Sequence, residues 1–418
     1  MRRRGWVAVV LAALGLAAPS AHADSVSYLS NPRHDGVAGG VPEPPLGIRW
    51  ARDFDARVSF PVVAEGMAFV TVRNPSDGPY GTVVHALDLQ TGAERWTRTL
   101  SGTYYWSALA YDAGRLFAIN FDGVLTALRA ADGSTAWARQ LPGQYAASSA
   151  PVARDGLVHL SVAGSGGTLY AMREGDGSLA WTQPVTNGDD SSPAVDDARV
   201  YTTYACDHTS AFDRTTGTPA WSHAGPCSGG GGAPSLLHAR RLFTVESDGL
   251  VFDAASGGTV GTIQSTQPPA AADGTVYLTQ GQRLRAEDAT SGVERWTAPF
   301  TYEVSTQPLV AGGTLYFGSA GGALVALDRA SGRTTWCTAT GHGVVGGNNA
   351  SFAPPSALGG GGGLLLVPAE DTLIAYGSGG AAAPGCGGSG SGTGTTPAPG
   401  GTGTTAPVTG GGAVAAGP

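Results

Sequence analysis

The sequence predicts an all-β fold: an eight-bladed β-propeller of four-stranded antiparallel blades whose ring is closed by the N- and C-terminal strands. Three observations predict it. A short motif recurs with a blade-length period, an alternating strand precedes each copy, and the two ends of the repeat region carry complementary halves of one unit. The motif is a Gly followed four positions later by a Trp, in the pairs Gly92–Trp96, Gly133–Trp137, Gly177–Trp181, Gly217–Trp221, Gly292–Trp296 and Gly332–Trp336. Gly257 keeps the glycine but is followed by Gly261 where the Trp belongs. Successive glycines lie 41, 44, 40, 40, 35 and 40 residues apart. Such a period fits one four-stranded blade per repeat.

Each unit reads as four strands. The segments VVHALDLQTG, VLTALRAADG, TLYAMREGDG, TSAFDRTTG and ALVALDRASG alternate apolar and polar residues, as a half-buried strand does. Asp or Arg, then Thr, Ser or Asp before Gly, is hairpin-turn chemistry. Upstream, SSAPVARDGLVHLSV, SSPAVDDARVYTTY and STQPLVAGGTLYFGS give a Ser/Pro-led inner strand and a second strand. At the ends, LGIRWARDF carries Trp50 with no blade before it, and GLLLVPAEDTLIAYG supplies inner strands with no Trp after them. Pairing them closes the last blade and hides both sheet edges. The expected blades are 58–101, 102–142, 143–186, 187–226, 229–265, 266–301, 302–341, and 345–377 with 45–54. A seven-bladed ring is the alternative if the Trp-less fifth unit is degenerate.

The pattern A-x-D-x-x-[TS]-G-x-x-x-W resembles the pyrroloquinoline-quinone (PQQ) type propeller repeat over nearly all of residues 45–377. The resemblance implies that Trp50, Trp96, Trp137, Trp181, Trp221, Trp296 and Trp336 each dock one blade onto the next. An indole suits that task because it is large, stiff and has one N–H to satisfy. Some family members are quinoprotein dehydrogenases, which hold PQQ over the axis beside a calcium ion and carry a ring of adjacent cysteines. No two cysteines are adjacent here. Another relative is a lipid-anchored propeller of outer-membrane protein assembly, which binds no quinone. No cofactor is therefore expected, with PQQ and calcium as the alternative.

Composition agrees with many short strands and tight turns: 66 Gly and 27 Pro make up more than a fifth of the 418 residues. Charged residues are 13% and the net charge is −8, with all 24 basic residues Arg. That acidic balance excludes nucleic acid as a partner, since its binding rests on neutralised phosphates. Arg2, Arg3 and Arg4, the apolar stretch from Trp6 to Ala18 and the Ala21-His22-Ala23 site read as a secretory signal peptide cleaved after Ala23. No later segment is long and apolar enough to span a bilayer. Residues 24–44 are a polar segment expected to lie across one face. Residues 378–418 form a Gly/Ser/Thr/Pro-rich tail that cannot bury enough apolar surface to order itself. Export permits disulfides among Cys206, Cys227, Cys337 and Cys386. Four cysteines allow three pairings, and the nearest in sequence are Cys206–Cys227 and Cys337–Cys386. No Cys/His spacing suits zinc.

The loops leading into the inner strands gather on one face near the axis. Their bulky or acidic residues, Tyr104, Tyr105, Trp106, Tyr145, Asp189, Asp190, Tyr302 and Glu303, are the candidate binding surface. Aromatics beside carboxylates suit a peptide or a sugar, although such rings also serve to cover a funnel. Asp189 and Asp190 offer hard ligands for calcium, against the simpler reading of a solvated loop. No nucleophile elbow, H-E-x-x-H or P-loop occurs. The expected protein is a secreted, monomeric, non-catalytic binding or scaffold propeller for an extracellular protein or glycan. The alternatives are a PQQ- and calcium-dependent dehydrogenase and a polysaccharide-active enzyme with paired carboxylates.

Overall fold

A computed structural model describes residues 24–75, 78–226, 231–346 and 354–379. The expected signal peptide, residues 1–23, and nearly all of the tail lie outside the described residues, as do Cys227 and Cys386. The described chain forms eight four-stranded antiparallel sheets arranged as an eight-bladed propeller. No described helix is long and apolar enough to cross a membrane. Blade 1 comprises Val62–Ala64, Met67–Arg73, Gly81–Asp88 and Glu94–Ser101, from the inner strand outward. Blade 8 takes Gly359–Gly361, Leu364–Ala369 and Thr372–Ser378 from the end of the repeat region and its outer strand, Leu46–Asp53, from the start. The fifth blade is present, with Leu236–His238, Arg241–Phe243, Leu250–Asp253 and Thr259–Thr262. Eight blades rather than seven is the result.

The structure gives each position of the repeat a reason. The Asp that ends the third strand accepts bonds from the turn: Asp88 Oδ1 takes the Thr91 N–H at 2.9 Å and the Thr91 hydroxyl at 2.8 Å. Asp213 with Thr216, and Asp253 with Ser256, repeat this geometry. Hydrogen bonds from Arg95 and Thr91 hold the Asp88 carboxyl down at about 2. The Ala of the strand pairs across the sheet with the Trp, as Ala86 with Trp96 and Ala127 with Trp137, leaving room for the indole. The Gly sits under the indole of the preceding blade. At Gly133 (φ +68°) a Cβ would lie 2.5 Å from the Trp96 ring, so conformation and space both demand glycine.

Of residues 24–44, only the end lies against the outside of a blade, with Glu43 accepting the Gly313 N–H at the inner hairpin of blade 7. Residues 25–40 make one lap around the inside of the ring. Val63, Tyr111, Val195, Leu237, Ala271 and Val310, on the inner strands of blades 1, 2, 4, 5, 6 and 7, each donate a backbone N–H to this lap, at Ser25, Val26, Pro32, Arg33, Asp35 and Gly36. Ser25 donates to the Gly360 carbonyl of blade 8, and Gly363 donates to Gly40. The cause is general: an inner strand has a free edge, and its buried backbone groups need partners. The lap supplies them. Serines of the inner-strand leads stitch the remaining gaps. Ser191 N–H donates to Ser149 Oγ, and Ser192 Oγ donates to the Ala150 carbonyl, joining blades 3 and 4.

His34 is the hub of the lap. It is fully buried. Its Nδ1–H donates to the Ser235 carbonyl at 3.1 Å, and Gln307 Nε2 donates to its carbonyl at 3.2 Å. Burial pushes the imidazole down to about 4, and burial does the same to His159, whose Nε2 faces the Arg214 carbonyl. Both rings are neutral in the fold and take protons near pH 6.5 once unfolded. The unfolded chain therefore binds more protons between pH 6.5 and 4. Stability is full above that window and falls as pH drops through it. Glu174, pushed up to about 8 by burial and then by Asp112, works in the opposite sense, with stability lost as pH rises through 8. Urea unfolding at pH 7.5 and pH 5 is expected to show a smaller acid loss in His34→Gln than in the parent. An unchanged difference would mean that His34 does not carry the effect.

Candidate functional site

The face that carries the connections between blades holds two features side by side. The first is an axial funnel of about 410 Å³. Its wall is built from the inner-strand leads of blades 3 to 6, with Ser148, Asp190, Ser192, Thr266 and Gln267, and from Tyr28 of the N-terminal lap. These side chains converge because each lead is the same short Ser/Thr/Pro-rich segment, set once per blade around the axis. The hydroxyls are partly committed to the scaffold: Ser148 Oγ accepts the Asp190 N–H at 3.1 Å, and Ser265 Oγ donates to the Gln267 carbonyl at 2.6 Å. Asp190 is held in the left-handed region at φ +59°. A second cavity of about 540 Å³ shares Val245, Ser265 and Thr266 with the funnel and carries Glu246 and Asp248. Burial raises the Glu246 carboxyl above its usual range, while the Ala233 N–H ties its Oε1 to the wall.

The second feature is an aromatic rim on blades 1 to 3. Tyr105 packs on Tyr80 at 4.9 Å between centroids, and the Arg73 guanidinium lies 5.6 Å from the Tyr105 ring. Tyr104 packs on Phe121 at 4.4 Å. Tyr80 is 57% exposed, Tyr104 38% and Tyr145 65%. The loop that presents Tyr104 and Tyr105 is tied down by Asp122, which accepts the Thr103 N–H at 2.8 Å.

The sequence-predicted residues therefore separate. Tyr104, Tyr105 and Tyr145 lie at the rim. Asp190 lines the funnel, and its neighbour Asp189 is half-buried, with burial raising its carboxyl. Tyr302 is half-buried and stacks on Phe300 at 5.7 Å, and Glu303 is exposed beside it on the loop into blade 7. Trp106 is a correction. It is 1% exposed and packs in the core with Phe60, Phe69 and Phe117, because it leads directly into the inner strand of blade 2. Sequence reasoning missed Tyr80, Tyr28, Ser148, Ser192 and Thr266, whereas Gln267 was legible as a bulky residue of an inner-strand loop. Tyr80 sits on a hairpin loop rather than an inner-strand lead, and Tyr28 on a segment whose path only the closed ring defines. The recurring serines were visible, but as lead chemistry rather than as a wall.

A family model described as "Outer membrane protein assembly factor BamB" matches residues 43–160, 148–251 and 246–383. The chain belongs to the PQQ-repeat propeller family. Comparison with curated proteins gives no match. Among solved structures, the quinohemoprotein alcohol dehydrogenase of Comamonas testosteroni is similar with a TM-score of 0.68 at 17% identity, over 87% of this chain and 82% of that one. BamB of Moraxella catarrhalis is similar with a TM-score of 0.59 at 17% identity, over 79% and 99%. A europium-containing methanol dehydrogenase has a TM-score of 0.66 at 14% identity, over 85% and 98%. At these identities the likeness shows the fold alone.

The family raises PQQ and a metal as occupants of the funnel, and the lining tests them. PQQ is a polycarboxylate and needs cations around it. Among the described residues, the only charged side chain in the funnel wall is a carboxylate, Asp190. Arg57, at the funnel edge, is turned to the carbonyls of Val345 and Gly346 at 3.3 and 3.4 Å. Among the described residues, no three His, Cys, Asp or Glu side chains stand close enough to share a metal ion. The wall does not fit an anionic quinone.

Proposed function

We propose that the protein is an exported, monomeric, non-catalytic propeller that binds a segment of a partner protein across its tyrosine rim and axial funnel. One observation carries the reading: exposed Tyr80, Tyr104 and Tyr145, with half-buried Tyr105 packed on Tyr80, share one face with a hydroxyl-lined cavity. Tyrosine supplies large contact area with few rotors to freeze and is enriched in binding surfaces. The family description, an assembly factor, supports a protein partner over a small substrate. The Glu246 carboxyl, tied to the Ala233 N–H, reads as a wall strut rather than a free acid for glycoside cleavage. The proposal includes disulfides Cys206–Cys227 and Cys337–Cys386, since neither described cysteine is a free thiol.

The test is a selection from a displayed random-peptide library, run beside a glycan array and a PQQ titration with and without calcium. Peptides that bind the parent are expected to bind Tyr80→Ala/Tyr104→Ala/Tyr145→Ala at least about tenfold more weakly, an effect of about 1.4 kcal/mol spread over three contacts. The triple variant is expected to keep the parent's unfolding midpoint, because these rings are exposed. Glycan binding without peptide binding, or saturable calcium-dependent quenching by PQQ, sinks the proposal.

A further inference from the structure

Six junctions between blades hold an indole in the same seat. The Nε1–H groups of Trp50, Trp96, Trp137, Trp181, Trp221 and Trp296 donate to the carbonyls of Leu89, Ala130, Glu174, Arg214, Ala254 and Arg329, at 2.8–3.1 Å. Each acceptor stands three residues before the glycine under the ring. A Cβ on any of those six glycines would lie 2.4–2.7 Å from an indole carbon.

The junction between blades 5 and 6 has the same seat and no indole. Gly292, at φ +69°, keeps the left-handed conformation of its six counterparts, which span +68° to +74°, yet a Cβ there would meet nothing within 4 Å. The frame is intact: Ala289 N–H donates to the Gly274 carbonyl at 2.9 Å, just as Ala130 N–H donates to Gly114 and Ala254 N–H to Arg240. The Ala289 carbonyl accepts no hydrogen bond from the described residues. The outer strand of blade 5, Thr259–Thr262, is exposed throughout, and Val260 and Val293 stand at the mouth at 46% and 63% exposure. The back of the seat has changed in step. Opposite Gly261 stands Val251, where the other blades have Ala opposite Trp.

We propose that this seat receives the side chain of a tryptophan presented by a partner polypeptide, with the ring on Gly292 and the indole N–H on the Ala289 carbonyl. The six occupied seats of the same ring define that chemistry. The described tryptophans of this chain cannot supply it, since seven are docked in the outer strands and Trp106 is core. The seat lies on the outer strands of the ring, whereas the proposed rim and funnel surface is made of the loops between blades. Either can fail without the other.

The probe is a fluorescein-labelled synthetic octapeptide with the sequence of Glu94–Ser101, an outer strand that already carries a seated Trp. Saturable anisotropy change is expected with the full-length protein, weakened at least about tenfold when the peptide carries Trp96→Ala. Hydrogen exchange is expected to slow at residues 289–293 on binding. In the protein, Val251→Ala/Gly261→Trp fills the seat from within and is expected to abolish binding while raising the unfolding midpoint. If that variant does not fold, Gly292→Ala, which places a methyl in the seat, carries the same expectation for binding. No binding, equal binding of the two peptides, or full binding by a filled or methyl-blocked seat overturns the proposal.

Discussion

Trp137→Ala is expected to lower the free energy of unfolding by about 3–5 kcal/mol, the range for deleting a large buried aromatic. Its ring is 7% exposed, covers Gly177 and lies 6.0 Å from Phe117. Its Nε1–H reaches the Glu174 carbonyl at 2.8 Å. The substitution opens a cavity between blades 2 and 3 and leaves that carbonyl with the Arg115 guanidinium as its remaining donor, at 2.8 Å. The hydrogen bond can be separated from the packing. Trp336 is equally buried, at 6% exposure, but its Nε1 has no partner among the described residues, and its ring meets Tyr376 edge-on. Trp137→Phe is therefore expected to cost more than Trp336→Phe, by about 0.5–1.5 kcal/mol for the bond lost. Urea denaturation of the three variants checks both statements. Equal losses for the two Phe variants would show that the indole N–H contributes little to blade docking.

Deletion of residues 24–40 is expected to have the larger effect. Six inner strands lose the acceptor of a buried N–H at once, and Phe60 loses Tyr28, whose ring centroid stands 5.1 Å away. A buried donor left unpaired costs about 1–3 kcal/mol, although water entering the opened channel recovers part of that. The loss is expected to exceed that of Trp137→Ala and to appear as fast hydrogen exchange at Val63, Tyr111, Val195, Leu237, Ala271 and Val310. A milder variant localises the cause. A Cβ on Gly36 (φ +72°) would lie 2.8 Å from the Ala270 Cβ and 2.9 Å from the Pro308 carbonyl oxygen. Gly36→Val is expected to speed exchange at Ala271 and Val310 while leaving Val63 and Tyr111 protected. Protection unchanged after the deletion would mean that the inner strands hold themselves.

Much of this protein was legible because a propeller is nearly one-dimensional. Each blade contacts its neighbours, so the same short-range demands recur and leave the same residues behind. The Asp that caps the turn, the hydroxyl that answers it, the glycine under the ring, the alanine beside it and the tryptophan all act within one blade or across one junction. Their spacing alone gave strand order and the pairing of Leu46–Asp53 with Thr372–Ser378, while the choice of eight blades over seven waited on the Trp-less fifth unit, which the structure shows to be a full blade. Gly261, the break in the pattern, marked the junction where the seat is open. The tyrosines of the rim were visible as bulky loop residues, but their grouping was not. Tyr80 and Tyr105 are on different loops, and only the angle between adjacent blades brings them together. Trp106 was misjudged for the same reason, since one residue along a lead decides whether a ring faces solvent or core.

Two features were decided only by closing the ring. The path of residues 25–40 depends on the free inner edges of seven blades, and no local pattern announces partners as remote as His34 and Ser235. The funnel depends on where the similar leads of blades 3 to 6 converge and on which side chains the lap adds to them. Local chemistry repeated down the chain determined the blades. The channel and the face above it are properties of the circle, which exists only when the first strand meets the last.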